Sequence, residues 1–394
     1  MKKKKILFFM FSMWEWKWTE KLFAQLSYYI DKKYDIFFVS LYDIFPYADF
    51  KWKYISLNKK NNINILWLCK NIFTLRKIIL KNSIDTVIGT NDFLNIILLF
   101  SSCFLKIKKI WTIHSNPLLN FHQIIKRYII KILYPFFHKI ICVSHTQENI
   151  MKNKFWLKNT QVIYNFFDIE KEKIKFNETI LETEKNIFKN NFNFLMISRL
   201  DKLKGFIPIL RIFNKLNSKY QNISVTILWE WEYRETIEKY IYDKNLENNI
   251  YLLGAKKNIY PYLLQSDCFL FPSLSEAFWL VLIEALLANK VIVSSDCNIW
   301  PKEILHKNFN KTINQYPFYW DYWLLIESFT QEDLEKYKLN INSDLDNKEL
   351  LLYELLEDIY LNTQKYINKY SHWRIRAEKF DIHYIVEDWN KLLW

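Results

Sequence analysis

Glycine is almost missing from this chain. Its 394 residues include three glycines, where roughly 28 would follow from an average abundance of about 7%. Glycine enters the left-handed backbone region freely and lets main chain touch a ligand, so tight turns and phosphate-binding loops must here be built from something else. Tryptophan is in matching excess, at 16. The five cysteines (Cys69, Cys103, Cys142, Cys268, Cys297) show no paired spacing, which excludes a disulfide framework and reads as buried thiols in a reducing compartment. The apolar run from Phe93 to Leu105 is too short to cross a bilayer and reads as a buried helix. Acidic residues are scarce in the first half. Through Asp168 there are 26 Lys plus Arg against 10 Asp plus Glu, and the remainder has 29 against 32. This asymmetry suits an anionic membrane surface, a lipid diphosphate acceptor or nucleic acid, and no nucleic-acid motif appears.

What is present is a globular chain, 51% hydrophobic and long enough for two domains. Met1 to Met13 has the basic start and short apolar run of a signal peptide. No small-residue cleavage site follows, and the chain continues into a helix start at Thr19, so a first β-strand is the better reading. Strand-like and helix-like runs then alternate: strands at Asp35–Leu41, Asp85–Asp92, ending in a polar loop, and Lys109–Ser115, with a histidine at its C-terminal end, an amphipathic helix within Phe121–Lys139, and strands near Ile140 and Val162. That helix reads as ordinary cover for a sheet, with contact to anionic lipid as the functional alternative. From Glu170 to Asn191 charge rises and periodicity fades, as in a linker. Alternation resumes with strand Asn193–Ser198 and continues to the helical tail, which predicts parallel sheets covered on both faces.

The most informative stretch is Pro272 to Leu305, PSLSEAFWLVLIEALLANKVIVSSDCNIWPKEIL. Strand Cys268–Phe271, a loop with Glu276, helix Leu280–Ala288 and strand Val291–Ser294 form one βαβ unit, whose ligands sit beyond the strand C-termini. Glu276 and Glu284 are separated by seven residues, and Glu284, about one turn into the helix, leans back toward its N-terminus. Upstream, a strand runs into Arg199, Lys204 and Gly205, a planar fork of donors and a point charge suited to a diphosphate. The Glu-x7-Glu spacing within SEAFWLVLIEAL, with Pro-Ser before it and Glu-Ala inside it, resembles the donor-site motif of retaining glycosyltransferases of family 4, with the GT-B fold.

In that family the position of Trp279 is glycine. The turn at Trp229-Glu230-Trp231 stands where the family reads Gly-x-Gly, and Trp14, Trp16 and Trp18, with Thr19, stand in its glycine-rich first loop. Trp111, Trp156, Trp300, Trp320 and Trp323 also fall where turns or close backbone approach suit glycine. With 48 of 55 basic residues being Lys, the composition fits an AT-rich genome. We expect most of these tryptophans to be UGA codons that the source organism decodes as glycine. The alternative is a genuinely Trp-rich protein, and Trp389 and Trp394 in the terminal helix fit that description.

The resemblance implies an α/β chain of two Rossmann-like domains facing across a cleft. They would be an acceptor domain (1–168), a linker (169–191), a donor domain (192–365) and a C-terminal helix (366–394) crossing back to the first domain. It implies catalytic roles for Glu276 and His114. Donor binding would fall to Arg199, Lys204, Glu284, Phe278, Trp279, Leu280, Trp229, Trp231 and Gly254, and an acceptor loop to Trp14, Trp16, Trp18 and Thr19. Arg199 and Lys204 would neutralise the diphosphate, Glu284 would hold the ribose, Glu276 the sugar hydroxyls. No metal and no cofactor are implied. The partners are a nucleotide sugar, UDP-linked by this reading, a glycan or lipid-diphosphate acceptor, and an anionic membrane surface at the basic domain, with a cytoplasmic or membrane-peripheral location. Ser295 to Leu305 resembles a branch handling N-acetylhexosamines. Two alternatives stand: an inactive membrane-associated binding protein if the tryptophans are real, and a GT-B epimerase or phosphorylase.

Overall fold

The computed structural model describes residues 3–13, 18–43, 51–58, 65–114, 124–198, 202–228, 234–274, 280–297, 301–305, 313–319, 323–339, 343–369 and 373–394. They form two compact units, Met1–Phe167 with Phe380–Trp394, and Asp168–Lys379.

The first unit runs β1 (Lys4–Met10), α1 (Trp18–Ile30), β2 (Tyr34–Tyr42), β3 (Lys53–Asn58), α2 (Ile65–Asn82), β4 (Thr86–Gly89), α3 (Asp92–Ser101), β5 (Lys108–Ile113), α4 (Ile124–Leu133), β6 (Lys139–Cys142), α5 (His145–Phe155) and β7 (Thr160–Val162). The strands lie in the order β3-β2-β1-β4-β5-β6-β7, all parallel. In β1 the last five residues are all buried, the continuous apolar pattern of a strand covered on both faces. Leu75, Ile79, Leu94, Ile97, Ile130 and Met151 bring α2 to α5 onto one face. Leu22, Phe23 and Leu26 of α1 cover the other.

The second unit continues α6 (Ile169–Ile174), α7 (Glu182–Lys189), β8 (Phe192–Ile197), α8 (Phe206–Asn217), β9 (Ile223–Leu228), α9 (Arg234–Asp243), β10 (Ile250–Gly254), α10 (Tyr260–Gln265), β11 (Cys268–Phe271), α11 (Leu280–Leu287), β12 (Val291–Ser295), α12 (Pro301–Leu305), β13 (Phe318–Tyr319), β14 (Leu324–Ile326), α13 (Gln331–Leu339), α14 (Asn347–Leu361), α15 (Thr363–Lys369) and α16 (Trp373–Glu378). Its strand order is β10-β9-β8-β11-β12-β14-β13. Only the β13–β14 pairing is antiparallel among the described strands.

Helix α17 (Ile382–Leu393) belongs to the first unit. Phe167 N–H donates to the Phe380 carbonyl at 2.8 Å and Ile382 N–H to the Phe167 carbonyl at 2.7 Å, which turns the chain back in. Ile382, Ile385 and Trp389 then pack with α1. Trp389 meets Phe23 edge-on at 5.8 Å, as a core tryptophan should. The amines of Lys108 and Lys4 donate to the carbonyls of Leu392 and Trp394, placing cations at the negative end of the helix. Part of the basic excess therefore ties down the end of the chain.

Two expectations are corrected. The stretch 169–191 is no linker: it forms α6 and α7, burying Ile169, Ile180 and Phe188 in the second unit. Its charges pair along exposed helix faces, as in Lys173–Glu170 and Lys185–Glu182, which is why periodicity looked faded. The second unit also extends past residue 365 to Lys379, held by Arg376, which donates to the carbonyls of Glu303 and Ile304. Trp111 lies within β5, and the Trp111 and Trp323 side chains are both fully buried. Trp111 stacks flat on Tyr134 at 3.5 Å, although its buried indole N–H has no hydrogen-bond partner among the described residues. Trp156 does occupy a glycine-type position. It caps α5 at φ 58° and ψ 31°, a left-handed conformation that costs an L side chain roughly 1–2 kcal/mol.

Inside the second unit Arg211 of α8 grips Glu349 of α14 with bonds of 2.7 and 3.1 Å, both side chains being buried. Removing one partner strands a buried charge. Arg211→Ala is expected to lower the unfolding free energy by about 3–5 kcal/mol in denaturant titration; a loss below about 1 kcal/mol would equate the pair with a surface ion pair.

Candidate functional site

The strand order of the second unit reverses between β8 and β11. In open parallel sheets such a switch point leaves a crevice beyond the strand C-termini, because the loops after the two neighbouring strands depart to opposite faces. The loop after β8 carries Lys204, and the loop after β11 leads toward Glu276. They are joined. Leu274 N–H donates to the Leu203 carbonyl at 2.8 Å. Gly205 has φ 68°, and a Cβ there would stand 2.2 Å from the Pro272 carbonyl oxygen, so only glycine permits the approach. Ser295, at the end of β12, donates to the Ser273 carbonyl. Lys302 pairs with Asp296 at 2.6 Å, and the Tyr316 hydroxyl donates to the same carboxylate. The ends of β8, β11 and β12 are thus tied together, and Lys204, in the turn after β8, is buried.

Helix α11 begins at Leu280, and every residue in it except Glu284 is buried. The one carboxylate is the one partly exposed group. Tyr260 of α10 is buried within electrostatic reach of it: burial, with the charges of Glu284 and Glu172, holds its phenol far above the ordinary 10. Tyr260 was invisible to sequence reading because a tyrosine in an apolar helix reads as core. Gly254 closes β10 at φ 74°, where the register with β9 shifts.

In the first unit the same end of the sheet holds His114. Thr90 Oγ1 donates to the Phe9 carbonyl at 3.3 Å and Thr112 Oγ1 to the Gly89 carbonyl at 3.1 Å, linking the ends of β1, β4 and β5. His114 Nε2 lies 3.1 Å from Thr112 Oγ1. Nδ1 has no hydrogen-bond partner among the described residues. Phe23 packs edge-on against the ring at 5.6 Å. Burial pushes the imidazole down to about 4, with Asn165 working in the opposite direction. His114 is therefore neutral at pH 7, a hydrogen-bonding group rather than a cation. Trp18 opens α1, and Thr19 sits half-buried in its first turn.

Glu276, Phe278, Trp279, Arg199, Trp229, Trp231, Trp14, Trp16, Trp300 and Trp320 lie outside the described residues. Leu280 is buried at the start of α11.

Two family models match the chain: glycosyl transferases group 1 over residues 177–318 and glycosyltransferase family 4 over residues 49–171. An uncharacterized glycosyltransferase of Methanocaldococcus jannaschii is 32% identical over 99% of this chain and 98% of its own length. In Campylobacter jejuni, the N-acetylgalactosamine-N,N'-diacetylbacillosaminyl-diphospho-undecaprenol 4-alpha-N-acetylgalactosaminyltransferase is 28% identical over 47% of this chain and 48% of its own. Among solved structures, Anabaena HepE in complex with UDP aligns with a TM-score of 0.74 at 16% identity, covering 99% of both chains. The two parallel-sheet α/β units are those of the GT-B fold.

The depressed His114 has a consequence for stability. Between pH 6.5 and about 4 the unfolded chain takes up a proton that the folded unit refuses, so folding weakens as pH falls through that window. We expect wild type to lose up to about 1.4 kcal/mol per pH unit there from this group, and His114→Gln to remove that part of the slope. Equal slopes in urea titrations of the two proteins would show the imidazole to be solvated.

Proposed function

Because the chain belongs to family 4 of the GT-B glycosyltransferases and acts in glycan assembly, we propose that it moves a hexosyl group from a UDP-sugar to a glycan or lipid-linked acceptor, retaining anomeric configuration. The observation that carries this reading is the buried Lys204 in a turn hydrogen-bonded to the Pro272–Leu274 segment. A cation held in a dry site stabilises a departing diphosphate far more than one in water. UDP in the Anabaena structure and the lipid-diphosphate acceptor in the name of the Campylobacter enzyme support the donor and acceptor classes.

In this reading Lys204 and Arg199 take the diphosphate charge as the bond from the anomeric carbon to the diphosphate oxygen breaks. The acceptor hydroxyl bonds to that carbon on the same face, and its proton leaves with UDP. Glu284 holds the ribose hydroxyls, with Tyr260 behind it. Glu276 holds donor-sugar hydroxyls, His114 Nδ1 hydrogen-bonds to one, and no metal or cofactor takes part. The enzyme works at the cytoplasmic face of a membrane, where lipid-linked acceptors are built. No helix among the described residues is long and apolar enough to cross one.

The proposal includes the residues written as tryptophan. Trp156 in the left-handed region supports glycine at that position, and Trp229, Trp231 and Trp279 are positions at which the family resemblance puts glycine. An indole in such loops would occupy the ligand's space.

Two measurements test these readings. In a version with glycine at the loop positions, Glu276→Gln and Lys204→Ala should each reduce turnover by about a hundredfold or more, while EDTA leaves it unchanged. UDP should appear only when acceptor is present. Sugar isomerisation without transfer would sink the transferase reading. Peptide mass spectrometry on protein from its native source should find glycine at positions 156, 229, 231 and 279; tryptophan there would mark an inactive relative that keeps the fold.

A further inference from the structure

Helix α10 begins on a tyrosine whose ring is packed and whose hydroxyl is not used. Tyr260 is 1% exposed. The Phe176 ring lies against it at 4.7 Å, the Lys175 ammonium stands over it at 6.0 Å, and its own backbone N–H donates to Asn258 Oδ1 at 3.0 Å. Asn258 in turn donates to the Lys175 carbonyl at 2.8 Å, so the ring and the turn before it are held by the same segment. The hydroxyl meets no hydrogen-bond partner of ordinary geometry among the described residues. An unmet buried hydroxyl is a cost that phenylalanine, filling the same space, would avoid.

Two carboxylates lie within electrostatic reach of the phenol, Glu284 and Glu172. Glu172 is buried, and the Lys175 amine pairs with it at 2.6 Å. Glu284 belongs to the next helix on the same side of the sheet. The crossovers from β10 to β11 and from β11 to β12 run the same way along the strand order, so right-handed connections lay α10 and α11 on one face. Each helix starts from the C-terminal ends of the strands. Burial, then the charge of Glu284, then Glu172 hold the phenol far above its ordinary value. Its proton therefore stays on oxygen at neutral pH, available to be donated.

We propose that Tyr260 is a positioning residue for Glu284: its O–H donates to one carboxylate oxygen and so sets the plane in which the carboxylate meets the ribose diol of a nucleoside diphosphate. This rests on the reading that Glu284 holds the ribose. Glu172 is the poorer acceptor for the phenol, because an ammonium already matches its charge. Every other residue of α11 is apolar and buried, so Glu284 is the one group its helix offers to a polar ligand. A carboxylate has about four lone-pair positions, and one bond from the phenol leaves the others for two hydroxyls. That bond is charge-assisted and comes from a ring that packing has immobilised. The vicinal hydroxyls then meet oxygens already oriented, and a nucleotide without the diol gains nothing from the arrangement.

Titration calorimetry of the full chain, with glycine at the loop positions as above, tests this with UDP and 2′,3′-dideoxy-UDP. Wild type should prefer UDP. Tyr260→Phe should bind UDP about tenfold more weakly and dideoxy-UDP as wild type does, with unchanged circular dichroism and melting. It should raise KM for the sugar donor by a similar factor and leave kcat within about twofold. In a Glu284→Ala background the same change should have no further effect. Tyr260→Phe that binds UDP like wild type would overturn the proposal, and so would an equal loss for both nucleotides, which would mark the hydroxyl as structural. The two readings fail differently. If wild type does not distinguish the two nucleotides, the ribose assignment of Glu284 falls and the role of Tyr260 with it. A preference for UDP that survives Tyr260→Phe leaves that assignment standing and removes the tyrosine alone.

Discussion

The approach of the Gly205 backbone to Pro272 sets the geometry of the second unit's functional end. Two loops that leave adjacent strands in opposite directions have no reason to touch unless one of them lacks a side chain. A Cβ at 2.2 Å from a carbonyl oxygen has nowhere to go, because that oxygen is main chain. With glycine present, Leu274 reaches the Leu203 carbonyl and Lys204 is buried beside the loop leading to Glu276. The tie from Ser295 to Ser273 then brings in the end of β12. One of three glycines in the chain stands where no other residue serves.

The first unit solves its corresponding problem with hydroxyls. Thr90 and Thr112 bridge strand ends by donating to the carbonyls of Phe9 and Gly89. Thr112 also holds His114 Nε2 at 3.1 Å, so a threonine that ties two strand ends also orients the imidazole. Positive charge in this unit is likewise put to structural use: Lys4 and Lys108 cap the terminal helix.

Much of the framework was legible. Strand β11 (Cys268–Phe271) matches the sequence reading to the residue, because its apolar run ends at a proline-containing turn. Strands β3, β13 and β14 were not foreseen: they are short and lie at or near sheet edges, where burial leaves a weak pattern. Helix α2 escaped notice because apolar residues on its outer face erase the alternation by which amphipathic helices are recognised. Residues 169–191 were misread for the opposite reason, since dense surface ion pairs mask the few buried side chains that anchor α6 and α7.

Local sequence determined the alternation of strand and helix, the βαβ unit around Glu284 and the cationic turn at Lys204. These follow from periodicity, from turn-forming residues and from side-chain chemistry, all properties of neighbours in the chain. Tertiary structure alone decided that Trp111 and Trp323 are packed while Trp156 is a left-handed cap, that Tyr260 lies within reach of Glu284, and that His114 is neutral. Each of these depends on groups distant in sequence, such as Tyr134 against Trp111 or Phe23 against His114, whose burial and hydrogen bonding exist only once the sheets have assembled.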